Sequence, residues 1–258
     1  MNTWHAGWPS ALAVVVPAHN EAAELPAALG SLRRAADHPQ LVGLPLALVV
    51  VADACDDATA AVATAWGASV VDIRSRNVGA ARAAGVARAL EVLGTAGERA
   101  WIVTTDADTL VPPRWLAHHL HHARQGWHGV VGTVRLRRGL ELSARAVARA
   151  QARYLAGRPV PPLPWGHPHV HGANLGVGAV PYQAAGGFPA LTHGEDRALV
   201  AALDRLGHQV LRTDACPVRT SGRLDPRAPH GFGAALRCLL EEPAGTSESP
   251  PWSGAPRA

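Results

Sequence analysis

A chain of 258 residues, 48% hydrophobic and with a formal charge of +4, has the length for one core and too much apolar content for a disordered polymer. Its basic excess is entirely arginine, since no lysine occurs anywhere, and that excludes Schiff-base, P-loop and general-base lysine chemistry. The excess is small and forms no basic stripe, which speaks against a nucleic-acid partner.

In chain order, residues 11–16 (ALAVVV) form a continuous apolar run ending at Pro17, as expected of a strand buried on both faces. Asn20 is placed to cap a following helix that carries Leu25, Leu29 and Leu32 along one side. Residues 46–52 read as a second buried strand closed by Asp53. A helix over 56–66, a strand over 69–73 and an Ala/Arg-rich helix over 78–93 follow. The strand 100–105 runs into Asp106-Ala107-Asp108, and Pro112-Pro113 opens the next helix. Strand and helix alternate four times, so the reading is an α/β fold: a parallel sheet with helices on both faces. Ligands of such sheets sit beyond the carboxyl ends of the strands, where Asn20, Asp53 and Asp106 to Asp108 all fall.

Beyond that point the pattern loosens. A strand is expected over 129–135, a helix over 140–155 and another over 195–206, with a proline-rich loop at 157–171. Residues 1–10 are taken as an N-terminal extension, 11–240 as the folded domain and 241–258 as a disordered Pro/Ser/Gly-rich tail. The three cysteines, Cys55, Cys216 and Cys238, form no CxxC and read as reduced thiols. No signal peptide is visible, and the longest apolar run, 44–52, is about half of the ~20 residues of a membrane span. The expected location is the cytoplasm, with at most peripheral contact at the inner face of the membrane.

Asp106 and Asp108 offer hard oxygen ligands to Mg²⁺ or Mn²⁺; the alternative for this short string is a solvated turn. Asp53 is placed to accept from a nucleobase imide or a ribose hydroxyl, or else to turn the chain while Asp56 or Asp57 caps the next helix. Glu195 and Asp196 open a helix, either as a cap that complements its dipole or with Asp196 as a general base. His118, His119, His121 and His122 include i,i+3 and i,i+4 pairs of the kind that hold a metal, but on a helix past the acidic turn they read as a wetted face. His167, His169 and His171 alternate in the proline-rich loop and could line an acceptor site.

Taken in order, VVVPAHNE (14–21), VVVADACDDAT (49–59), RNVGAARAAG (76–85), TTDADTLVPPRWL (104–116), HGANLGVGAVPYQAAGGF (171–188) and GED (194–196) resemble the family 2 glycosyltransferases of the GT-A fold. The resemblance implies a Rossmann-like α/β domain, its sheet mixed and mostly parallel with helices on both faces, with a nucleotide-sugar-binding half (11–111) and an acceptor-side half (112–240). It implies nucleotide-sugar contacts from Pro17, Ala18, Asn20, Glu21, Asp53, Arg76, Asn77, Arg82, Asp106 and Ala107. Asp106 and Asp108 match the metal-binding acids, with Mn²⁺ or Mg²⁺ as cofactor. Asp196, with Glu195 beside it, matches the catalytic base, and His171, Gly172, Ala173 and Asn174 match the acceptor side. The implied reaction is inverting transfer from a nucleotide-sugar, by default UDP-linked, to a small or lipid-linked acceptor. Relatives complete the metal site with a histidine near the C-terminus, where this chain reads VRTSGR (218–223). The third ligand therefore stays open, and Arg219 and Arg223 become candidates for the diphosphate. The competing readings are a retaining transferase of the same fold, separable by product anomer, and a decayed nucleotide-sugar-binding protein, separable by its lack of metal-dependent turnover.

Overall fold

The computed structural model describes residues 8–137, 144–160 and 165–222. In chain order it contains β1 (Ala11–Ala18), α1 (Leu25–Ala36), β2 (Leu46–Asp53), α2 (Thr59–Ala65), β3 (Ser69–Ile73), α3 (Val78–Leu93) and β4 (Ala100–Thr104). It continues through α4 (Trp115–Arg124), β5 (Gly129–Leu136), α5 (Ala144–Tyr154), β6 (Leu175–Gly178), α6 (Ala179–Ala184), α7 (Glu195–Arg205) and β7 (Val210–Thr220). The described strands form one seven-stranded sheet in the order β3-β2-β1-β4-β6-β5-β7. Only β6 runs against its neighbours, pairing antiparallel with β4 and β5. This is the mixed, mostly parallel α/β sheet that the resemblance implies; the alternation of elements predicts its parallel part, and the antiparallel β6 adds the rest.

The period-two geometry of a strand sends β1 into two cores at once. Leu12, Val14 and Val16 pack under α1 and α4, together with Leu29, Leu32, Trp115 and Leu120. Ala11, Ala13 and Val15 face the opposite layer, with Ala81, Val86, Leu199 and Leu203 from α3 and α7. Both faces are covered, which is why the parallel strands read as unbroken apolar runs. Alanine on the second face lets α3 lie close to the sheet, and Gly85 sets the limit, because a Cβ there would overlap side-chain atoms of Val15 and Val51. Gly85→Ala improves helix propensity by about 1 kcal/mol, whereas overpacking a filled core costs about 1–3 kcal/mol. The expected result is a net loss of stability in urea unfolding, and an equal or higher midpoint would show that α3 has room to move.

Three local readings are corrected. Asn20 does not cap α1, which begins at Leu25 behind Glu24; Asn20 adopts a φ of 54° and its Oδ1 accepts the N–H of Asp56 at 2.9 Å. The helix after the acidic turn starts at Trp115, with Pro112 supplying a carbonyl to the Trp115 N–H. Its histidines are not all wetted. His119 is fully buried, its ring edge-on to Trp115 at a centroid distance of 5.1 Å, and burial pushes its pKa well below the usual value, so it sits there neutral. The strands β6 and β7 lie outside the elements read from the sequence. Among the described residues, no helix is long and apolar enough to cross a membrane.

Candidate active site

The carboxyl ends of β1, β2 and β4 lie side by side, so the loops that follow them share one edge of the sheet. The first two loops are stitched together. The N–H of Glu21 donates to Thr59 Oγ1 at 2.8 Å, that of Ala22 to Asp57 Oδ2 at 3.0 Å, and His19 Nδ1 bonds the carbonyl of Asp53 at 2.7 Å. Asp57 also accepts the N–H of Thr59 at 2.9 Å, so it anchors the start of α2. Pro17 is half-buried, while Ala18 and the Glu21 side chain are buried.

Asp53 is 4% exposed, and both oxygens of its carboxylate accept backbone N–H groups. Oδ1 accepts the N–H groups of Ser75 and Arg76 at 2.7 and 2.8 Å, and Oδ2 that of Asn77 at 2.7 Å. Three charge-assisted bonds hold a turn whose middle residue, Arg76, takes a φ of 45° and keeps its side chain exposed. Asn77 then caps α3 through Oδ1 to the Ala80 N–H at 2.9 Å, while its Nδ2 reaches the carbonyl of Ala190 at 3.1 Å. In this geometry Asp53 organises the turn, with three of its roughly four acceptor positions taken by backbone N–H groups.

β4 delivers Asp106 and Asp108 to the same edge, with Ala107 buried between them. Beneath them lies Arg82 of α3, only 4% exposed. Its Nη2 donates to Asp106 Oδ1 at 2.6 Å and its Nη1 donates to Glu195 Oε1. Gly172 is required at this point, because a side chain there would overlap the guanidinium. Burial raises the Asp106 carboxyl to about 6; the Arg82 charge opposes the rise, while Asp108 and Asp196 add to it. Asp108 meets Thr220 of β7, whose hydroxyl lies 3.4 Å from Oδ1. Arg219 is exposed, and its backbone pairs in both directions with Leu110, just past the acidic turn. Arg223 lies outside the described residues.

Asp196 comes in from the amino end of α7. Its Oδ2 accepts the N–H of Gly172 at 2.7 Å and its Oδ1 that of Arg197 at 2.7 Å. Gly172 is fixed in turn by its carbonyl, which accepts from Thr104 Oγ1 at 2.6 Å. The neighbouring block is more internal than a surface facing an acceptor. Asn174 is 1% exposed. Its Oδ1 takes the indole N–H of Trp115 at 2.8 Å, and its Nδ2 donates to the carbonyls of Thr133 and Cys216 at 2.9 and 3.0 Å. It ties β5, β7 and α4 together. Ala173 is buried, and His171 places Nε2 3.1 Å from the Tyr154 hydroxyl.

His167, His169 and His171 form a buried row of near-parallel rings, with Tyr154 stacked on His169 at 4.0 Å. These rings, expected to line an acceptor site, are buried here, and desolvation in the row lowers His169 to about 4 and His171 to about 3, so they pack as neutral rings. Tyr154, Thr104 and the ion pair between Arg82 and Glu195 were not read from the sequence as parts of the site. Among the described residues, no three His, Cys, Asp or Glu side chains converge as a metal-binding group. The two acids of the D-x-D turn are the protein ligands on offer.

The model of the family described as Glycosyl transferase family 2 matches residues 13–178. Solved structures resemble the fold at low identity. Staphylococcus aureus TarS 1-349 aligns with a TM-score of 0.57 at 14% identity, over 89% of this chain and 69% of that one. A mannosyltransferase from Pyrobaculum calidifontis, solved with GDP-Man and Mn²⁺, aligns with a TM-score of 0.58 at 21% identity, over 90% of this chain. This chain spans 63% of that enzyme's length. Glucosyl-3-phosphoglycerate synthase from Mycobacterium tuberculosis, solved with Mg²⁺ and UDP, aligns with a TM-score of 0.53 at 21% identity, over 90% of this chain and 78% of that one. No curated protein sequence matches the chain.

Proposed function

The chain belongs to glycosyl transferase family 2, and from that premise we propose that it moves a sugar from a nucleotide-sugar, UDP-linked by default, to an acceptor hydroxyl, with inversion and with a divalent cation. The observation that carries the reading is the meeting of three segments far apart in sequence: Asp106 and Asp108 just past β4, Glu195 and Asp196 at the start of α7, and Arg82 of α3, which bonds both Asp106 and Glu195. In this reading residues 11–111 hold the donor and 112–240 serve the acceptor.

The donor set suits a hard cation. Asp106 and Glu195 share one buried guanidinium, and burial, with the neighbouring charges of Asp108 and Asp196 adding to it, raises the Asp106 carboxyl, an effect that a bound cation would oppose. Two buried polar atoms beside the turn, Thr105 Oγ1 and Arg82 Nε, have no hydrogen-bond partner among the described residues, in keeping with a polar network that a ligand completes. Asp106 and Asp108 would hold Mn²⁺ or Mg²⁺, which when bound supplies Lewis-acid stabilisation of the departing diphosphate. The Mn²⁺ and Mg²⁺ in the mannosyltransferase and synthase structures support that choice.

The turn held by Asp53 would offer the exposed Arg76 to the nucleotide, with Asn77 fixing the turn behind it. Asn20 and Glu21 would bound its other side, and Arg219, exposed on β7 and paired through its backbone with Leu110 just past the acidic turn, is the candidate for the diphosphate. Asp196, oriented by the Gly172 and Arg197 N–H groups, takes the proton of the acceptor hydroxyl. As that oxygen bonds the anomeric carbon from the opposite face, the bond from that carbon to the diphosphate oxygen breaks.

Thermal unfolding with UDP-, GDP- and dTDP-sugars tests the donor site. One nucleotide class, with Mn²⁺ present, is expected to raise the melting temperature by about 5–10 °C at a ligand concentration near 100 times Kd. Asp108→Ala is expected to abolish the metal-dependent part of that rise and of turnover. An unchanged rise in Asp108→Ala removes the metal assignment, and the absence of any rise in the wild type favours a decayed site. The anomer of the product, read by NMR, separates inversion from retention.

A further inference from the structure

The charge of the chain is unevenly placed. Residues 109–194 contain nine arginines and one glutamate, whereas the remainder contains fifteen arginines and nineteen acids. Within the basic stretch, no acidic residue occurs between positions 142 and 194. α5 lies in that acid-free segment and carries Arg145, Arg149 and Arg153 at four-residue spacing, which sets them about 6 Å apart along one side of the helix. The opposite side packs inward, with Ala150 and Tyr154 in the core and Ala146 and Val147 against it. Arg145 and Arg149 are exposed, and their exposed neighbours Ala148 and Ala152 are too small to shield them. Just past the helix, Val160 is 81% exposed.

We propose that the outer face of α5 docks on an anionic membrane surface and that the acceptor is presented from that surface. The second clause rests on the glycosyltransferase reading; the first does not. The face is convex, charged and free of exposed aromatics, so it offers neither the groove nor the stacking platform by which single strands are held. A leaflet of anionic headgroups asks only for a plane of cations and an apolar contact at its boundary, which the arginine row and Val160 supply. The helix also ends at the site. Tyr154 closes α5 beside His171, and the next residue, Gly172, holds Asp196. A docked α5 keeps the base close to the membrane plane, where a lipid-linked hydroxyl would lie.

Vesicle flotation of the full chain tests this, with phosphatidylcholine vesicles with or without phosphatidylglycerol, at low and high salt. Binding is expected only with phosphatidylglycerol and to fade at high salt. Arg145→Gln with Arg149→Gln is expected to weaken it about thirtyfold, from roughly fivefold per arginine near an anionic leaflet, and the double lysine variant is expected to restore most of it. Equal binding to neutral vesicles, unchanged binding of the glutamine variant, or displacement from vesicles by oligonucleotide overturns the proposal. The nucleotide-dependent rise in melting temperature is read on the same samples and is expected to be unchanged in the glutamine variant. Vesicle binding as described, without that rise in the wild type, would retain the surface and remove the donor reading.

Discussion

Asp196→Asn is expected to lower kcat by about 10²- to 10⁴-fold, the usual contribution of a positioned general base, while leaving nucleotide affinity within a few-fold of wild type. The substitution is nearly isosteric, so α7 and Gly172 keep their places. One of the two backbone N–H groups now held by the carboxylate, from Gly172 and Arg197, would face the amide nitrogen and lose its acceptor. At a half-buried position that costs about 1 kcal/mol of stability, too little to unfold the protein and easily read in a melting curve. The informative result is therefore the split between binding and turnover. A metal- and nucleotide-dependent rise in melting temperature that survives while kcat collapses fits a base acting on the acceptor. Loss of both would make Asp196 a brace for the 171–174 segment, and a kcat within threefold of wild type would remove it from the chemistry.

β1, β2 and β4 were legible because burial on both faces leaves a sequence little room for polar residues: LALVVVA has one reading. β3 (SVVDI) lies at the sheet edge, half-buried and with Asp72 exposed, and offers only a short apolar core to read. β7 was not legible, because VLRTDACPVRT carries Arg212, Asp214, Pro217 and Arg219 along a strand at the edge of the sheet, with one side in solvent. β6 is four residues long and half glycine, so it has no period to detect; its place is set by its neighbours β4 and β5. Acids at strand ends could be found for the same reason as the strands, since polarity changes abruptly at Asp53 and Asp106. The contact between Arg82 and Glu195 spans 113 residues. No local pattern announces it, and an arginine in an alanine-rich helix resembles a solvated face. Asn20, Asn77 and Asn174 show the opposite limit: each was singled out, and each spends its side chain on backbone or indole partners rather than on open space. A polar residue in a functional motif is often there to fix the loop that carries the motif.

The buried ion pair gives the largest stability effect. Arg82→Met keeps an unbranched side chain of good helix propensity that fills much of the same volume, but it removes the only cation bonded to Glu195 among the described residues. Glu195 is 3% exposed. Taking one partner from such a pair leaves an uncompensated charge in low dielectric and costs about 3–5 kcal/mol. Asp106 adds little, since its side chain is 38% exposed and solvent can screen it. For a chain of this size the expected fall in melting temperature is about 10 °C. Two companion measurements separate charge burial from lost packing. With Arg82 gone, the buried Glu195 carboxyl should titrate above its unfolded value, so its ionisation destabilises the fold increasingly as pH rises, and the deficit should be smaller at pH 5 than at pH 8. Glu195→Leu added to Arg82→Met should recover most of the loss, because an apolar pair of similar volume often replaces a buried ion pair without penalty. Activity should not recover with it. The double variant leaves Asp106 without its guanidinium, so if it regained wild-type turnover, Arg82 would be a packing element and the charge balance at the D-x-D turn would have to be sought elsewhere.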